Sequence, residues 1–287
     1  MNEPTTNEMQ APALPLARRF GLETIPTRDL CHYTSQDGLI GILKNKSMFA
    51  TDASYLNDSQ EVVYAVNLAR KYFKNRPSPG GTRPVLEMLN VLDQTESLVG
   101  KLPTYVASFS EHSDLLSQWR GYCSKGSGFA LCVSPDRMTK IATARRWELF
   151  KCVYEEGRQV EVLKKMEETA ISHFESNKSV PLQVVFGLTL LGFSTALKHP
   201  KFAEEAEWRA VQRVGGTPSI RPGASTLTPY LNFPLTIDEK DSVALSRLVV
   251  GPTPHALLAV RAARSLLQQY SVTCPEPISS EIPFRNW

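Results

Sequence analysis

The sequence predicts a protein of the α+β class with a mixed, largely antiparallel sheet. Segments with helical spacing alternate with strand-like segments along the 287 residues, but without the strict βα period of a doubly wound sheet. Hydrophobic residues make up 42% of the chain, which is ample for a buried core. No internal repeat, heptad array or low-complexity tract is present. These observations favour one folded α+β unit over an extended or repetitive protein.

We divide the chain into a flexible leader, residues 1–27, and a single α+β domain, residues 28–287, with a helical insertion around residues 156–200. The leader has an acidic residue early, no apolar core of a signal peptide, and basic residues only at Arg18 and Arg19. It therefore does not resemble a secretory signal. The longest apolar run, residues 184–193, is far shorter than the ~20 residues that a transmembrane helix needs. We expect a cytoplasmic protein that does not cross a membrane.

Charge and cysteine content narrow the class of partner. The net charge is +3, from 32 Lys+Arg against 29 Asp+Glu, so a nucleic-acid partner is permitted but not implied. The five cysteines are widely spaced and contain no CxxC pair, which predicts reduced thiols and no zinc site. They are Cys31, Cys123, Cys132, Cys152 and Cys274.

Helices and strands are predicted in this order. A strand ending at residue 34 leads into an amphipathic helix, and residues 49–52 form a short strand. Residues 55–74 have helical spacing, with Asn57 or Asp58 as cap and Glu61 in the capping-box position. A loop at residues 75–84 and a helix at residues 84–98 follow.

The second half of the chain has more strands. Strands are predicted at residues 104–110, 126–133 and 148–156, with an acidic bend and a short helical turn at residues 111–122. Residues 160–177 and 181–198 have the composition of helices, the second one buried. Residues 201–214 change from helix to strand. Further strands are predicted at residues 219–221, 230–235 and 245–252, before a helix at residues 254–270.

The stretch from Cys31 to Ala50 combines polar side chains with a helix start. Its polar residues are His32, Tyr33, Thr34 and Ser35. A helix N-terminus directly after them would favour an anionic ligand. The alternative is structural, with His32 and Tyr33 as ordinary strand residues and Ser35 as a helix cap.

The sequence lacks the motifs of several well-characterised enzyme and binding-site classes. The chain has no Walker loop, GxGxxG, GxSxG, HExxH or EF-hand pattern. A Cys/His nucleophile pair, Cys31 or Cys123 with His112, remains an alternative. His173, His199 and His255 lack the spacing of metal ligands, so we expect no metal.

Four motifs together resemble a known family. They are HYTS at residues 32–35, DxLSQWRGY at residues 114–122, ExEWR at residues 205–209 and VVGP at residues 249–252. This order resembles a bacterial domain family of unknown function over most of residues 28–270. That family in turn resembles the ADP-ribosyltransferase superfamily, and residues 32–47 are similar to the first strand and helix of DNA-targeting ADP-ribosyltransferase toxins. The resemblance implies a sheet core of ADP-ribosyltransferase-like type with added helices.

The resemblance also implies NAD as substrate, without a metal. Cleavage of the nicotinamide–ribose bond passes through an oxocarbenium-like state, as glycoside chemistry does. The implied catalytic residues are His32 on the ribose, Glu207 as the stabilising carboxylate, with Glu204 and Glu205 as rivals, and Tyr122. The implied NAD-binding residues are Tyr33, Thr34 and Ser35 at the helix start, Ser110, Trp119 or Tyr122 stacked on nicotinamide, and Arg120 as a phosphate clamp.

Structural roles for the same residues stay open. Trp119 and Trp208 have the character of core residues. Arg120 and Arg209 can pair internally with Asp114, Glu205 or Glu207, and the EEAE run is typical of a solvated helix face. Glu205 and Glu207 have ExE spacing, although no further transferase signature accompanies them.

We therefore expect an NAD-dependent ADP-ribosyltransferase or NAD glycohydrolase in a toxin or phage-defence setting, a setting suggested by the resemblance alone. The acceptor is left open between nucleic acid and protein. One alternative is a catalytically inactive member of the same fold that senses a nucleotide or a partner. A second is a metal-free nuclease or hydrolase that uses His32 and Glu207.

Overall fold

A computed structural model describes residues 16–56, 60–75, 103–123, 128–176, 181–213, 217–223 and 225–283. Eight helices lie in these ranges: α1 Leu16–Arg19, α2 Gln36–Asn45, α3 Gln60–Lys74, α4 Leu116–Tyr122, α5 Pro135–Ala144, α6 Glu156–Ser176, α7 Leu182–Phe193 and α8 Ala256–Gln269. Ten strands lie between them: β1 Leu30–Thr34, β2 Ser47–Asp52, β3 Tyr105–Ser110, β4 Phe129–Val133, β5 Glu148–Lys151, β6 Glu207–Gln212, β7 Ser219–Pro222, β8 Leu227–Pro234, β9 Arg247–Val250 and β10 Ile278–Ser279. Short 3₁₀ turns occupy Ala53–Tyr55, Ser194–Ala196 and Pro200–Glu205.

All ten strands belong to one sheet. Its main path runs β10-β9-β4-β1-β3-β2-β8-β7, and β6 joins β3 with β5 on its far side. Every pairing is antiparallel except the short contact of β10 with β9. The predicted α+β class with a largely antiparallel sheet is therefore confirmed, whereas the ADP-ribosyltransferase-like type of that sheet stays a prediction.

Strand β3 has different neighbours on its two edges. On one edge it pairs with β6 over its whole length, from Tyr105 to Ser110. On the other edge it meets β1 only at Ser110, opposite Cys31, and β2 only at Tyr105 and Val106. Strands β1 and β2 thus diverge beside β3. The backbone between those two contacts has no strand partner on that edge, and side chains are needed to satisfy it.

Each face of the sheet has its own hydrophobic core, because successive strand residues point to opposite faces. Helices α2, α5 and α8 cover one face, where Phe109, Trp208 and Phe233 are buried. Helices α3, α6 and α7 cover the other face, where Val106 and Phe150 are buried. Both cores meet at β3 and β6, the strands that carry the candidate site.

Three predicted elements differ from the structure. Residues 1–27 were assigned to a flexible leader, but in its described part Ala17, Phe20 and Leu22 are buried in the second core, so this part of the leader prediction is wrong. The strand predicted at residues 148–156 ends at Lys151, where helix α6 soon begins. Helix α5 was not predicted. It buries Met138, Ile141 and Ala142 against the sheet.

Most other elements agree with the predicted pattern. The helices predicted at residues 160–177 and 181–198 are present as α6 and α7, although α7 ends at Phe193 in a 3₁₀ turn. The predicted caps Asn57 and Asp58, the loop after residue 75 and the helix at residues 84–98 lie outside the described residues. Within the described ranges, no helix is both long enough and apolar enough to cross a bilayer.

The prediction of reduced cysteines is wrong for one pair. Cys31 and Cys132 lie directly opposite each other on β1 and β4 and form a disulfide. Their separation of 101 residues hides this neighbourhood in the sequence. Cys123, Cys152 and Cys274 are free thiols.

The disulfide gives the first testable prediction. Alkylation of the denatured, non-reduced protein should label Cys123, Cys152 and Cys274 only, and reduction should expose Cys31 and Cys132 as well. Because the bond closes a long loop in the unfolded chain, reduction should lower the free energy of unfolding by about 2–5 kcal/mol. Mass spectrometry and urea titration measure the two effects. Labelling of all the cysteines without reductant would contradict the pairing.

Candidate functional site

A small cleft lies where β1, β3 and α4 meet the turn before β6. Ten residues line it: Cys31, His32, Tyr33, Ser108, Phe109, Ser110, Gln118, Tyr122, Glu205 and Glu207. The cleft encloses about 40 Å³, which is room for a few water molecules. It is the place in the described part of the chain where most of the predicted site residues come together.

His32 lies beside β3, next to the divergence of β1 and β2. Its Nδ1 is 3.0 Å from the carbonyl oxygen of Ser108, to which it donates a hydrogen bond. Burial lowers the pKa of His32 to about 4, although the bond to Ser108 acts in the opposite direction. His32 is therefore neutral at pH 7. With Nδ1 as donor, Nε2 is left as a hydrogen-bond acceptor.

Helix α4 presents Gln118 and Tyr122 to the cleft and is fixed from behind. The Nε1 of Trp119 donates to Asp114, which also accepts from the Ser280 hydroxyl and the backbone of Glu281. The Tyr33 hydroxyl donates to the carbonyl of His112 and accepts from the backbone N–H of Leu115. These contacts attach α4 both to β1 and to the segment after β10.

Tyr122 is the most exposed residue of the cleft, with 52% of its surface accessible. Partial burial of its hydroxyl, together with the Glu207 and Glu205 carboxylates, raises the pKa of Tyr122. Its hydroxyl therefore stays protonated and can donate. Its open ring can also stack on a planar ligand at the mouth of the cleft.

Five charged side chains form a cluster at one wall of the cleft, called here the charge cluster: Glu61, Lys198, Glu205, Glu207 and Arg209. All of them are buried except Glu205, which is partly exposed. Arg209 donates to both carboxylate oxygens of Glu61, at 2.5 and 2.6 Å, and to both of Glu207, at 2.8 and 3.1 Å. Its remaining bond, 2.8 Å long, goes to the carbonyl of Thr195. All five guanidinium donors are thus satisfied.

Lys198 links the two carboxylates that line the cleft. Its Nζ lies 2.5 Å from Glu205 and 2.8 Å from Glu207. Burial alone would raise the pKa of Glu207, but the charges and hydrogen bonds of Arg209 and Lys198 lower it to about 2. Burial alone would lower the pKa of Lys198, but Glu207 and Glu205 raise it. The Glu207 carboxylate and the Lys198 ammonium are therefore both charged at neutral pH.

The structure brings together some of the predicted site residues and separates others. His32, Tyr33, Ser110, Tyr122 and Glu207 line the cleft, as does the rival Glu205. Thr34, Ser35, Trp119, Arg120 and the rival Glu204 are not among its lining residues. Of the three candidate carboxylates, Glu205 and Glu207 therefore remain.

Some side chains that were predicted to contact a ligand have structural roles instead. The Ser35 hydroxyl accepts from the backbone of Gly38 and caps α2, as the structural alternative proposed. Trp119 is buried against Tyr33, as its structural alternative proposed, which leaves Tyr122 as the candidate for stacking on nicotinamide. Trp208 is fully buried, and its Nε1 donates to Glu111. Arg209 pairs internally, as its structural alternative proposed.

The alternative thiol nucleophiles also lose support. Cys31 is bonded to Cys132. Burial raises the pKa of Cys123 to about 12, so its thiolate is strongly disfavoured. Among the described residues, no group of three or more His, Cys, Asp or Glu side chains has the arrangement of a metal site.

Sequence reasoning missed three residues of this region. Glu61 was assigned to a helix capping box, but it binds Arg209. Lys198 was placed at the end of a helix, with no partner named. Gln118 lines the cleft from within the SQWRGY motif, where only its neighbours were singled out. The spacing of Gln118 and Tyr122, four residues apart on one helix, is the signal that places both on the same face.

Comparison with known proteins gives one match. Residues 118–210, about a third of the chain, match a family described as "Protein of unknown function (DUF2971)". No curated protein and no solved structure matches. The matched part runs from α4 to β6. It includes Gln118, Tyr122 and most of the charge cluster, whereas His32 and Ser110 lie outside it.

Arg209 should be required for stability. In Arg209→Leu, Glu61 and Glu207 would stay buried with Lys198 as their remaining cation. We therefore expect the free energy of unfolding to fall by about 3–5 kcal/mol in urea titration. The matched control is Arg158→Leu, whose pair with Glu161 is exposed and should contribute less than about 1 kcal/mol. Equal effects of the two substitutions would contradict the assigned role.

His32 should make stability depend on pH. The unfolded chain binds a proton at His32 near pH 6.5, but the folded chain binds it only near pH 4. Its contribution is thus intact above about pH 6.5 and is lost as the pH falls to about 4. His32→Gln, which can donate to Ser108 but does not titrate, should lose less stability over this range. Urea titrations across the range test this, and an NMR titration of His32 near pH 6.5 would contradict it.

Proposed function

We propose that the protein cleaves NAD, as an ADP-ribosyltransferase or an NAD glycohydrolase. The observation that supports this proposal is the convergence of His32, Ser110, Tyr122, Glu205 and Glu207 on one cleft, from four separate parts of the chain. The resemblance of the motifs to the ADP-ribosyltransferase superfamily supplies the substrate. It also suggests the toxin or phage-defence setting, which no residue of the structure supports.

The proposed reaction breaks the bond between ribose C1′ and the pyridinium nitrogen of nicotinamide. The bonding pair moves to that nitrogen, nicotinamide leaves as a neutral molecule, and positive charge develops on the ribose. An oxygen or nitrogen of the acceptor then gives its electron pair to C1′ and loses a proton. The acceptor is water in a glycohydrolase and a nucleic acid or protein in a transferase.

The two carboxyl side chains at the cleft suit this chemistry because a carboxylate stabilises a positive charge that develops beside it. Glu205 is the more accessible of the two, since about 20% of its side chain is exposed and Lys198 binds one of its oxygens. Glu207 is more enclosed, and three hydrogen bonds from Arg209 and Lys198 hold its oxygens. We assign the stabilising carboxylate to Glu205, with Glu207 fixed behind it.

His32 and Tyr122 complete the proposed site. Neutral His32 can accept a hydrogen bond from a ribose hydroxyl at Nε2, because its Nδ1–H is committed to Ser108. Tyr122 can stack its exposed ring on nicotinamide. A volume of about 40 Å³ admits only one end of a dinucleotide, so the rest of NAD would lie across the mouth of the cleft.

One observation favours a second candidate, a catalytically inactive protein that binds a nucleotide or a partner. The charges of Glu205 and Glu207 are largely compensated by Lys198 and Arg209. A compensated carboxylate stabilises an oxocarbenium ion less than an isolated one would. Such a protein would bind NAD without releasing nicotinamide.

The test is nicotinamide release from NAD by the purified protein. We expect release from the wild-type protein and a loss of about 100-fold or more in Glu205→Gln and His32→Ala, if each group acts in the transition state. Glu204→Gln is the matched control, because Glu204 lies in the same acidic run but does not line the cleft. It should retain full activity.

The possible results separate the two candidates. Binding of NAD in calorimetry without release of nicotinamide would favour the inactive protein. Neither binding nor release would contradict both. Labelled NAD offered with nucleic acids and cell lysate would then identify the acceptor of an active enzyme.

A further inference from the structure

Gln118 is a largely buried polar residue whose amide has no hydrogen-bond partner in the described part of the chain. It lies on α4, is only 8% exposed and lines the cleft. Its amide makes no hydrogen bond to any of the residues that the structure describes. The amide atoms are not fully enclosed, so the amide opens into the cleft, where a ligand can reach it.

Three other polar side chains of the cleft are held in place by hydrogen bonds within the protein. The Ser110 hydroxyl donates to the carbonyl of Glu205 and accepts from the backbone of His112. Glu207 accepts from Lys198 and Arg209. His32 donates to Ser108. Gln118 differs from these three side chains, because none of them leaves both a donor and an acceptor available to a ligand, as its amide does.

We propose that Gln118 is a ligand-binding residue that recognises an amide group. A glutamine side chain presents an N–H beside a C=O, and the complementary group presents a C=O beside an N–H. If the proposed function holds, that group is the carboxamide of nicotinamide, so this identification rests on the proposed function. The binding role of Gln118 rests on its own burial and its available amide.

The size of the cleft agrees with this assignment. A carboxamide has three non-hydrogen atoms, comparable to the few water molecules that about 40 Å³ can hold. A pyridine ring attached to it would extend toward the mouth of the cleft, where Tyr122 is exposed. Gln118 and Tyr122 share one face of α4, so a single helix would bind both the amide and the ring.

The experiment compares the binding of nicotinamide and nicotinic acid by calorimetry or ligand-observed NMR. Nicotinic acid has a carboxylate in place of the amide and loses the N–H donor. We expect wild-type protein to bind nicotinamide at least about tenfold more tightly than nicotinic acid, and Gln118→Leu to lose this preference. Gln269→Leu, on the exposed surface of α8, is the matched control and should bind as wild type does.

Stability separates a binding role from a structural one. Leucine keeps the apolar contacts of the side chain and removes an amide that has no hydrogen-bond partner among the described residues, so the melting temperature of Gln118→Leu should be unchanged or higher. Loss of binding together with retained or increased stability supports the proposal. A large fall in melting temperature, unchanged nicotinamide binding in Gln118→Leu, or no nicotinamide binding by the wild type would overturn it.

The two proposals can fail separately. If NAD is cleaved with the same KM by wild type and Gln118→Leu, the role of Gln118 is wrong and the proposed function stands. If nicotinamide binding depends on Gln118 but NAD is not cleaved, the amide site stands and the enzymatic function is wrong.

Discussion

Arg209 connects three parts of the fold through its five hydrogen bonds, to Glu61 on α3, to Glu207 on its own strand and to the carbonyl of Thr195. Because these groups are buried, each charge requires its opposite within contact distance. Strand β6 therefore occupies one position relative to α3. That constraint also fixes Glu207 and the turn carrying Glu205, which form one wall of the cleft. The hydrogen bonds of Arg209 that fix β6 against α3 thus also determine the geometry of the candidate site.

The opposite wall depends on a gap in the sheet. Strands β1 and β2 separate beside β3, and the imidazole of His32 replaces part of the missing pairing by donating to the Ser108 carbonyl. This bond fixes the tautomer of His32 and directs Nε2 away from the sheet backbone as an acceptor. A protonated imidazole would carry a charge in a desolvated position, which explains its lowered pKa. The divergence of two strands thereby provides both the space of the cleft and the chemical state of its histidine.

Local sequence patterns predicted much of the secondary structure, because helical spacing, caps and β-alternation act over a few residues. The same local patterns also indicate helix α5, since Pro135 begins it and its apolar residues recur at helical spacing. Contacts between residues far apart in the chain could not be predicted from local patterns. Glu61 and Arg209 are 148 residues apart, and Cys31 and Cys132 are 101 residues apart. Such contacts depend on strand register and helix packing, which no local pattern specifies.

Within one motif, hydrogen-bond partners inside the protein distinguish structural residues from functional ones. In ExEWR, the structure accounts for Trp208 and Arg209 completely, because every polar group of both side chains has an internal partner. In SQWRGY, Trp119 is accounted for in the same way by Asp114, but Gln118 and Tyr122 are not. Folding selects polar groups that satisfy one another, whereas binding needs groups that folding leaves available. By this criterion α4, more than the charged strand β6, is the element that would contact a ligand directly.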